Sequence, residues 1–151
     1  MKEKKVSMFK VKFLLFLALI INSFIANADV LEIEIHGVEK DGILNLVIYD
    51  SKETFETYKI DKSKPQPGIQ KSLRKMVSVG VYTDTFEIPA GTYAISLFID
   101  SNENEEFDTN FLGLPTEQYG FSNNAMGRFG PPEFEPASFI LDGYRKIIID
   151  L

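Results

Sequence analysis

The residues best suited to chemistry form one short run, Asp100-Ser101-Asn102-Glu103-Asn104-Glu105-Glu106-Phe107-Asp108. Oxygen-bearing side chains fall at alternate positions, Asp100, Asn102 and Asn104, and return at Asp108. This spacing lets side chains turn inward around one centre. A loop wraps a hard cation such as Ca²⁺ in this way, with about six to eight oxygens at roughly 2.3–2.6 Å. Glu106, seventh in the run, would offer its backbone carbonyl, and Asp108 would coordinate directly or through water. Glu103, Glu105 and Glu106 add negative potential beside these ligands and make the empty loop self-repelling. The expected metal set is therefore Asp100, Asn102, Asn104, Glu106 and Asp108, holding a structural Ca²⁺. The competing reading is that Asp and Asn cap the turn through their own backbone hydrogen bonds.

The run departs from an EF-hand in three respects. Glu105 stands where Gly would ease the sharp turn, Phe111 stands where a bidentate Glu is needed, and no helix pair flanks it. It compares better with the shorter D-x-N-x-N-x-x-x-D cation loops between strands of sandwich domains.

Alternation dominates the elements that must position this loop. Leu31, Ile33 and Ile35 alternate with Glu32, Glu34 and His36, and a second run spans Ile43 to Tyr49. The Asp41-Gly42 turn signal between them predicts an antiparallel hairpin. Ser51 to Ser72 breaks the pattern: Ser51 caps a short helical turn carrying Phe55 and Tyr58, and Pro65-Gln66-Pro67-Gly68 opens a loop. Lys59, Lys62, Lys64, Lys71, Arg74 and Lys75 concentrate positive charge here as a solvated surface. Alternation resumes through Val77, Val79 and Val81, then Phe86 and Ile88, then Tyr93, Ile95, Leu97 and Ile99, which deliver the chain to Asp100. Ala137 to Leu141 and Arg145 to Leu151 predict a closing hairpin across Asp142-Gly143, tying the C-terminus into a sheet. About seven short strands with regular turn signals predict a single all-β, antiparallel, Ig-like sandwich with one long ordered loop.

That loop, residues 111–134, is longer than most connections in compact domains. Phe111, Tyr119, Phe121, Phe129 and Phe134 argue for order, because aromatic side chains anchor such segments by burial. Glu117, Tyr119, Phe121, Ser122, Asn123 and Asn124 are the candidate ligand-binding residues, offering a carboxylate, a phenol, amides and a stacking ring to a sugar or peptide. The plainer alternative is that these polar groups satisfy the loop's own backbone. Arg128 is the loop's only cation, with Glu117 or an acidic-loop carboxylate as its candidate partner.

Residues 1–28 read as a secretory signal peptide: a Lys-rich start, the apolar run Phe13 to Ile21, and Ala26-Asn27-Ala28 as a small-x-small cleavage site. An uncleaved anchor is the alternative, though the apolar run is short for a ~30 Å hydrocarbon core. Residues 29–151 then form the sandwich domain. Removing residues 1–28 takes away five Lys and one Glu and moves the formal charge from -6 to about -10. Such acidity argues against nucleic acid or anionic membrane as a partner, with membrane contact only through an uncleaved signal peptide. The chain has no Cys, so an exported domain must draw its stability from packing, with or without a metal.

Several motifs carry a family resemblance: Pro89-Ala90-Gly91-Thr92-Tyr93-Ala94, then Asp100-x-Asn102-x-Asn104-x-x-x-Asp108, then Gly113-x-Pro115-x-Glu117-x-Tyr119-Gly120-Phe121-Ser122-Asn123-Asn124, then Gly130-Pro131-Pro132-x-Phe134. On these the chain resembles a family of exported bacterial proteins known as a domain of unknown function. Pro-x-Gly-x-Tyr before a strand is also similar to transthyretin-like and carboxypeptidase-regulatory-like sandwiches. The resemblance implies export and a β-sandwich, and no activity. In this family Gly usually follows the second Asn of the acidic loop, where this chain has Glu105.

No G-x-S-x-G, H-E-x-x-H or Cys nucleophile occurs, and nothing positions two carboxylates across a cleft as a hydrolase of the glycosidase type requires. The leading expectation is an exported, non-catalytic binding or structural module, periplasmic, secreted or outer-membrane associated. Its partner would be an envelope or extracellular protein or a glycan. A carbohydrate- or peptide-recognition module using residues 111–134 is the second reading. A Ca²⁺-responsive folding switch is the third.

Overall fold

The computed structural model describes residues 28–57 and 67–151. The signal-peptide reading and the expectations for Tyr58, Lys59, Lys62 and Lys64 lie outside the described residues. Eight strands form two sheets: β1 (Asp29–Val38), β2 (Gly42–Tyr49), β3 (Ile69–Val77), β4 (Gly80–Ile88), β5 (Gly91–Asp100), β6 (Tyr119–Phe121), β7 (Phe139–Leu141) and β8 (Tyr144–Asp150). One sheet runs β4-β1-β8 and the other β3-β2-β5-β6, with β7 paired to β5. Each pairing is antiparallel except β1 with β8, which run parallel. The protein is an all-β sandwich. Two short helices, α1 (Lys52–Thr57) and α2 (Phe134–Ala137), and a 3₁₀ turn at Ser122–Asn124 complete it.

Alternation places the main core between the sheets. Leu31, Ile33 and Ile35 of β1, Leu44, Leu46 and Ile48 of β2, Ile95, Leu97 and Ile99 of β5, and Ile147 and Ile149 of β8 are all buried there. A second, smaller core lies around α1. Tyr49, Phe55, Ala94, Phe121, Ala125 and Ala137 bury one another, with Phe134 and Tyr119 packed alongside. The α1 turn starts as the sequence implied, with Thr54 N donating to Ser51 Oγ at 3.4 Å and Phe55 fully buried.

Three sequence expectations about pairing are corrected. β1 and β2 do not form a hairpin: β1 pairs with β4 and β8, while β2 pairs with β3 and β5. The short connection crosses from one sheet to the other, so both apolar faces meet across the sandwich. Gly42 is there for closeness, since a Cβ would sit 2.7 Å from the Asp100 carbonyl oxygen. Asp41 instead caps the neighbouring corner, its Oδ1 accepting from Val79 N at 2.9 Å. Likewise β7 joins β5 and β8 joins β1, so Asp142-Gly143 is a crossing between sheets and not a hairpin turn. The run Val77, Val79, Val81 is no single strand: Val77 ends β3 buried, and Val79 and Val81 are exposed on either side of the start of β4.

Pro89-x-Gly91-x-Tyr93 is a corner closed by its own tyrosine. The Tyr93 hydroxyl donates to the Pro89 carbonyl at 2.8 Å, and the ring lies so close over Gly91 that a Cβ would meet it at 3.1 Å.

The last strand is fastened at both of its faces. Ile147 and Ile149 enter the core, Leu151 N donates to His36 O at 3.0 Å, and the outer face carries a charged network. There Lys146 Nζ lies 3.1 Å from Glu32 and 2.6 Å from Glu34. His36 faces a carboxylate at each nitrogen, Glu34 at 2.6 Å and Asp150 at 3.4 Å. The Tyr144 hydroxyl and then Lys146 hold Glu32 below the usual carboxylate range, and Lys146 and then His36 do the same for Glu34.

Two outcomes are expected from this seam. Deleting residues 147–151 removes two buried Ile side chains and lowers stability by at least about 3 kcal/mol in urea unfolding; an unchanged midpoint refutes the assignment. Because the folded-state pKa values of Glu32 and Glu34 are depressed, their contribution is present above the unfolded carboxylate values and lost as pH falls through the folded ones. The melting temperature should therefore be level above about pH 5 and fall below about pH 4. The double variant Glu32→Gln/Glu34→Gln should flatten that acid limb; an identical limb counts against the seam.

Candidate functional site

β5 ends by burying Asp100 completely, and the chain then turns back on itself through residues 101–108. Backbone N–H groups of the turn close onto this carboxylate: Asn104 N donates to Oδ1 at 3.1 Å and Glu105 N to Oδ2 at 2.9 Å. Asn102 and Asn104 turn the backbone again, their Oδ1 atoms accepting from Asn104 N at 3.2 Å and Glu106 N at 2.9 Å. Their amide nitrogens both point at Asp108 Oδ2, at 2.6 and 3.0 Å. Asn102, Asn104 and Asp108 thus meet through their side chains, while Asp100 is held by backbone N–H groups of the same turn. The Glu106 side chain is exposed and takes no part in this hydrogen bonding. Among the described residues no group of three or more His, Cys, Asp or Glu side chains is arranged to hold a metal. The turn is held by two Asp and two Asn, bonded partly to one another's side chains and partly to backbone N–H groups.

The loop's tightness shows in its dihedrals. Glu103 and Glu105 have φ of 60° and 68°, in the left-handed region. At Glu105 the backbone adopts a conformation that Gly serves more easily, at a cost of roughly 1–2 kcal/mol. Its side chain reaches Arg74 on β3 at 2.8 Å, a partner that spacing along the sequence did not suggest.

Glu117 is the residue whose role was least legible. It is 8% exposed, and its two oxygens accept from Ser101 N at 3.1 Å and Asp108 N at 3.2 Å. It braces both ends of the acidic turn from beneath. No Lys, Arg or His among the described residues forms an ion pair with Asp100 or Glu117. Arg128, the expected partner, is exposed and forms no ion pair among the described residues.

Residues 109–115 make a smaller turn beyond. Asn110 Oδ1 accepts from Leu112 N at 2.9 Å and Leu114 N at 3.1 Å, and Asn110 N donates to Leu114 O at 2.8 Å. Phe107 folds back over the outer face of the sheet, 5.3 Å from Phe98 and 5.8 Å from Tyr119 between ring centroids. Edge-on ring contacts continue through Tyr119–Phe121 and Phe121–Phe55 into the smaller core. Burial as the reason for aromatics in this segment holds for Phe121 and in part for Tyr119 and Phe134. It fails for Phe111 and Phe129, which are 95% and 103% exposed.

The remaining candidate ligand-binding residues are engaged within the fold. Ser122 is fully buried, accepting from Ile95 N at 2.8 Å and donating to the Ala137 carbonyl at 2.5 Å. Asn123, at φ 59°, donates to the Pro136 and Ser138 carbonyls at 3.1 and 2.7 Å. Asn124, at φ 50°, clasps Asp150 twice: Nδ2 donates to Oδ2 at 2.8 Å and Oδ1 accepts from N at 2.9 Å. Gly120 permits this approach, since a Cβ would fall 2.7 Å from Ile149 Cγ2. Tyr-Gly-Phe-Ser-Asn-Asn is therefore a hub joining β5, α2 and β8.

The fold and this loop together define a two-sheet β-sandwich whose central strand opens into an acidic, carboxylate-braced turn. The family model described as uncharacterized protein conserved in bacteria (DUF2141) matches residues 33–148, and the chain belongs to that family. No curated protein and no solved structure matches it.

Ser122→Ala should lower unfolding free energy by about 2–3 kcal/mol, since it leaves a buried N–H and carbonyl without partners. A variant as stable as the parent in urea titration contradicts the hub.

Proposed function

We propose that the protein is an exported, non-catalytic binding module of the bacterial envelope whose acidic loop is braced by a divalent cation, Ca²⁺ first among them. The observation that carries the cation is a pair of buried carboxylates, Asp100 and Glu117, serving one loop with no cationic side chain in ion-pair contact among the described residues. Buried charge is costly unless compensated. Backbone N–H groups meet part of that cost, and a bound cation would meet the rest. Asp100, Asn102, Asn104 and Asp108 would hold it, with Glu106 contributing at most its backbone carbonyl. Export rests on residues 1–28 and on the resemblance. No helix among the described residues is long and apolar enough to cross a membrane. We also read the sandwich as transthyretin-like, on the support of its Pro89-x-Gly91-x-Tyr93 corner.

The module reading draws support from how the loop is used. The polar groups of Ser122, Asn123 and Asn124 are spent inside the fold, on backbone groups and on Asp150. They build a rigid platform, which favours a scaffold role for them over direct sugar or peptide contacts.

Thermal melts in EDTA and in millimolar Ca²⁺ test the cation, because binding to the native state alone raises the midpoint. A rise of several degrees is expected with Ca²⁺, lost in Asp108→Ala. Asp100→Ala should also lose the Ca²⁺ response, but it should melt lower even in EDTA, by the equivalent of about 3 kcal/mol, since two N–H groups lose a charged acceptor. Glu103→Ala should only weaken the response. Superimposable parent melts in the two buffers remove the cation. Fractionation of the source cells scores export separately: a cytoplasmic, uncleaved product removes it.

A further inference from the structure

Five strand ends and starts meet at one end of the sandwich. Gly42 pairs with Val77, Val38 with Gly80, and Ile43 with Asp100. The β3–β4 corner and the 100–118 excursion therefore emerge side by side. Of the twelve exposed large hydrophobic residues among those described, seven belong to these two segments: Met76, Val79, Val81, Phe107, Phe111, Leu112 and Leu114. Scattered exposed apolar residues need no explanation, but a concentration of them marks an interaction surface. Phe111, Leu112 and Leu114 are 95%, 68% and 57% exposed at the tip of a turn that Asn110 hydrogen-bonds into one shape. A Thr109–Pro115 bridge closes its neck. Their ordering cost is already met within the fold, which is how a preorganised binding element gains affinity.

Charge selects the occupant. Residues 100–118 hold six acids, two of them (Asp100 and Glu117) buried, and no Lys or Arg. Of the nearby cations, Arg74 is taken by Glu105 and Lys75 by Asp84, leaving Lys40. Glu103 and Glu106 are exposed in the same excursion that carries the apolar tip. A second copy meeting through the same end would set carboxylate against carboxylate. A lipid surface is drawn to apolar segments flanked by Lys and Arg, which this tip lacks. We propose that this end docks into an apolar cleft, rimmed by Lys or Arg, on another protein, with Phe111, Leu112 and Leu114 as the inserted side chains. This rests on the binding-module reading and adds its surface and partner chemistry. It requires neither the cation nor a particular compartment.

The test places photoreactive benzoylphenylalanine at position 111 of the full-length chain, expressed and irradiated in its own bacterium. The protein in the adduct is identified, purified and titrated against the parent chain. Support is one protein adduct that disappears in Leu112→Ser/Leu114→Ser and in Met76→Ser. The purified partner should then bind those variants at least about tenfold more weakly. It should bind Glu103→Gln/Glu106→Gln several-fold more weakly, with a matching loss on raising salt. These side chains are exposed, so the variants should melt with the parent. An adduct only with lipid, only with a second copy, or with no molecule overturns the proposal, as does a partner whose affinity ignores these substitutions. The melts and fractionation described above score cation and export independently, so a failed adduct removes this surface and leaves those two parts of the reading to their own tests.

Discussion

The excursion between β5 and β6 depends on one constraint: backbone N–H groups that leave the sheet must find acceptors before they can be covered. Asp100 and Glu117 supply them, four bonds between them, from positions that are themselves buried. A carboxylate accepts more strongly than a neutral oxygen and fits several donors at once. With both turns of the loop pinned, Phe107 can lie across Phe98 and Tyr119, and the 109–115 tip can project without collapsing. The strain at Glu103 and Glu105 is the cost of fitting so many turns into so few residues.

Strand existence was legible because alternation reports burial directly. Leu31, Ile33, Ile35, Tyr93, Ile95, Leu97 and Ile99 all point inward as their spacing requires. Strand pairing was not legible, because a short connection serves equally well as a hairpin or as a crossing between sheets. Asp41-Gly42 has hairpin chemistry, yet its Gly answers to the Asp100 carbonyl and its Asp to Val79 N, both distant in sequence. The β3–β4 corner hid for a different reason: apolar alternation runs through Val77, Val79 and Val81 without a break while the chain changes sheets.

The acidic loop was legible in its membership and only partly in its logic. Asp100, Asn102, Asn104 and Asp108 all bond within one turn, Asp100 to backbone and Asp108 to the two Asn amides. Glu117 read as a surface ligand because nothing local marks a carboxylate that will face backbone donors nine and sixteen residues away. Arg74 and Glu105 meet for the same kind of reason, across a fold-back that leaves no trace in either segment.

The parallel ladder between the first strand and the last has a kinetic implication. β1 is the centre of its sheet, and one of its two neighbours, β8, is far along the chain: Lys146 meets Glu34 across 112 residues. Contacts so distant along the chain close late and slow the passage to the native state. Until β8 arrives, β1 keeps a bare edge and Glu34 lacks its lysine, so local contacts alone cannot close this sheet.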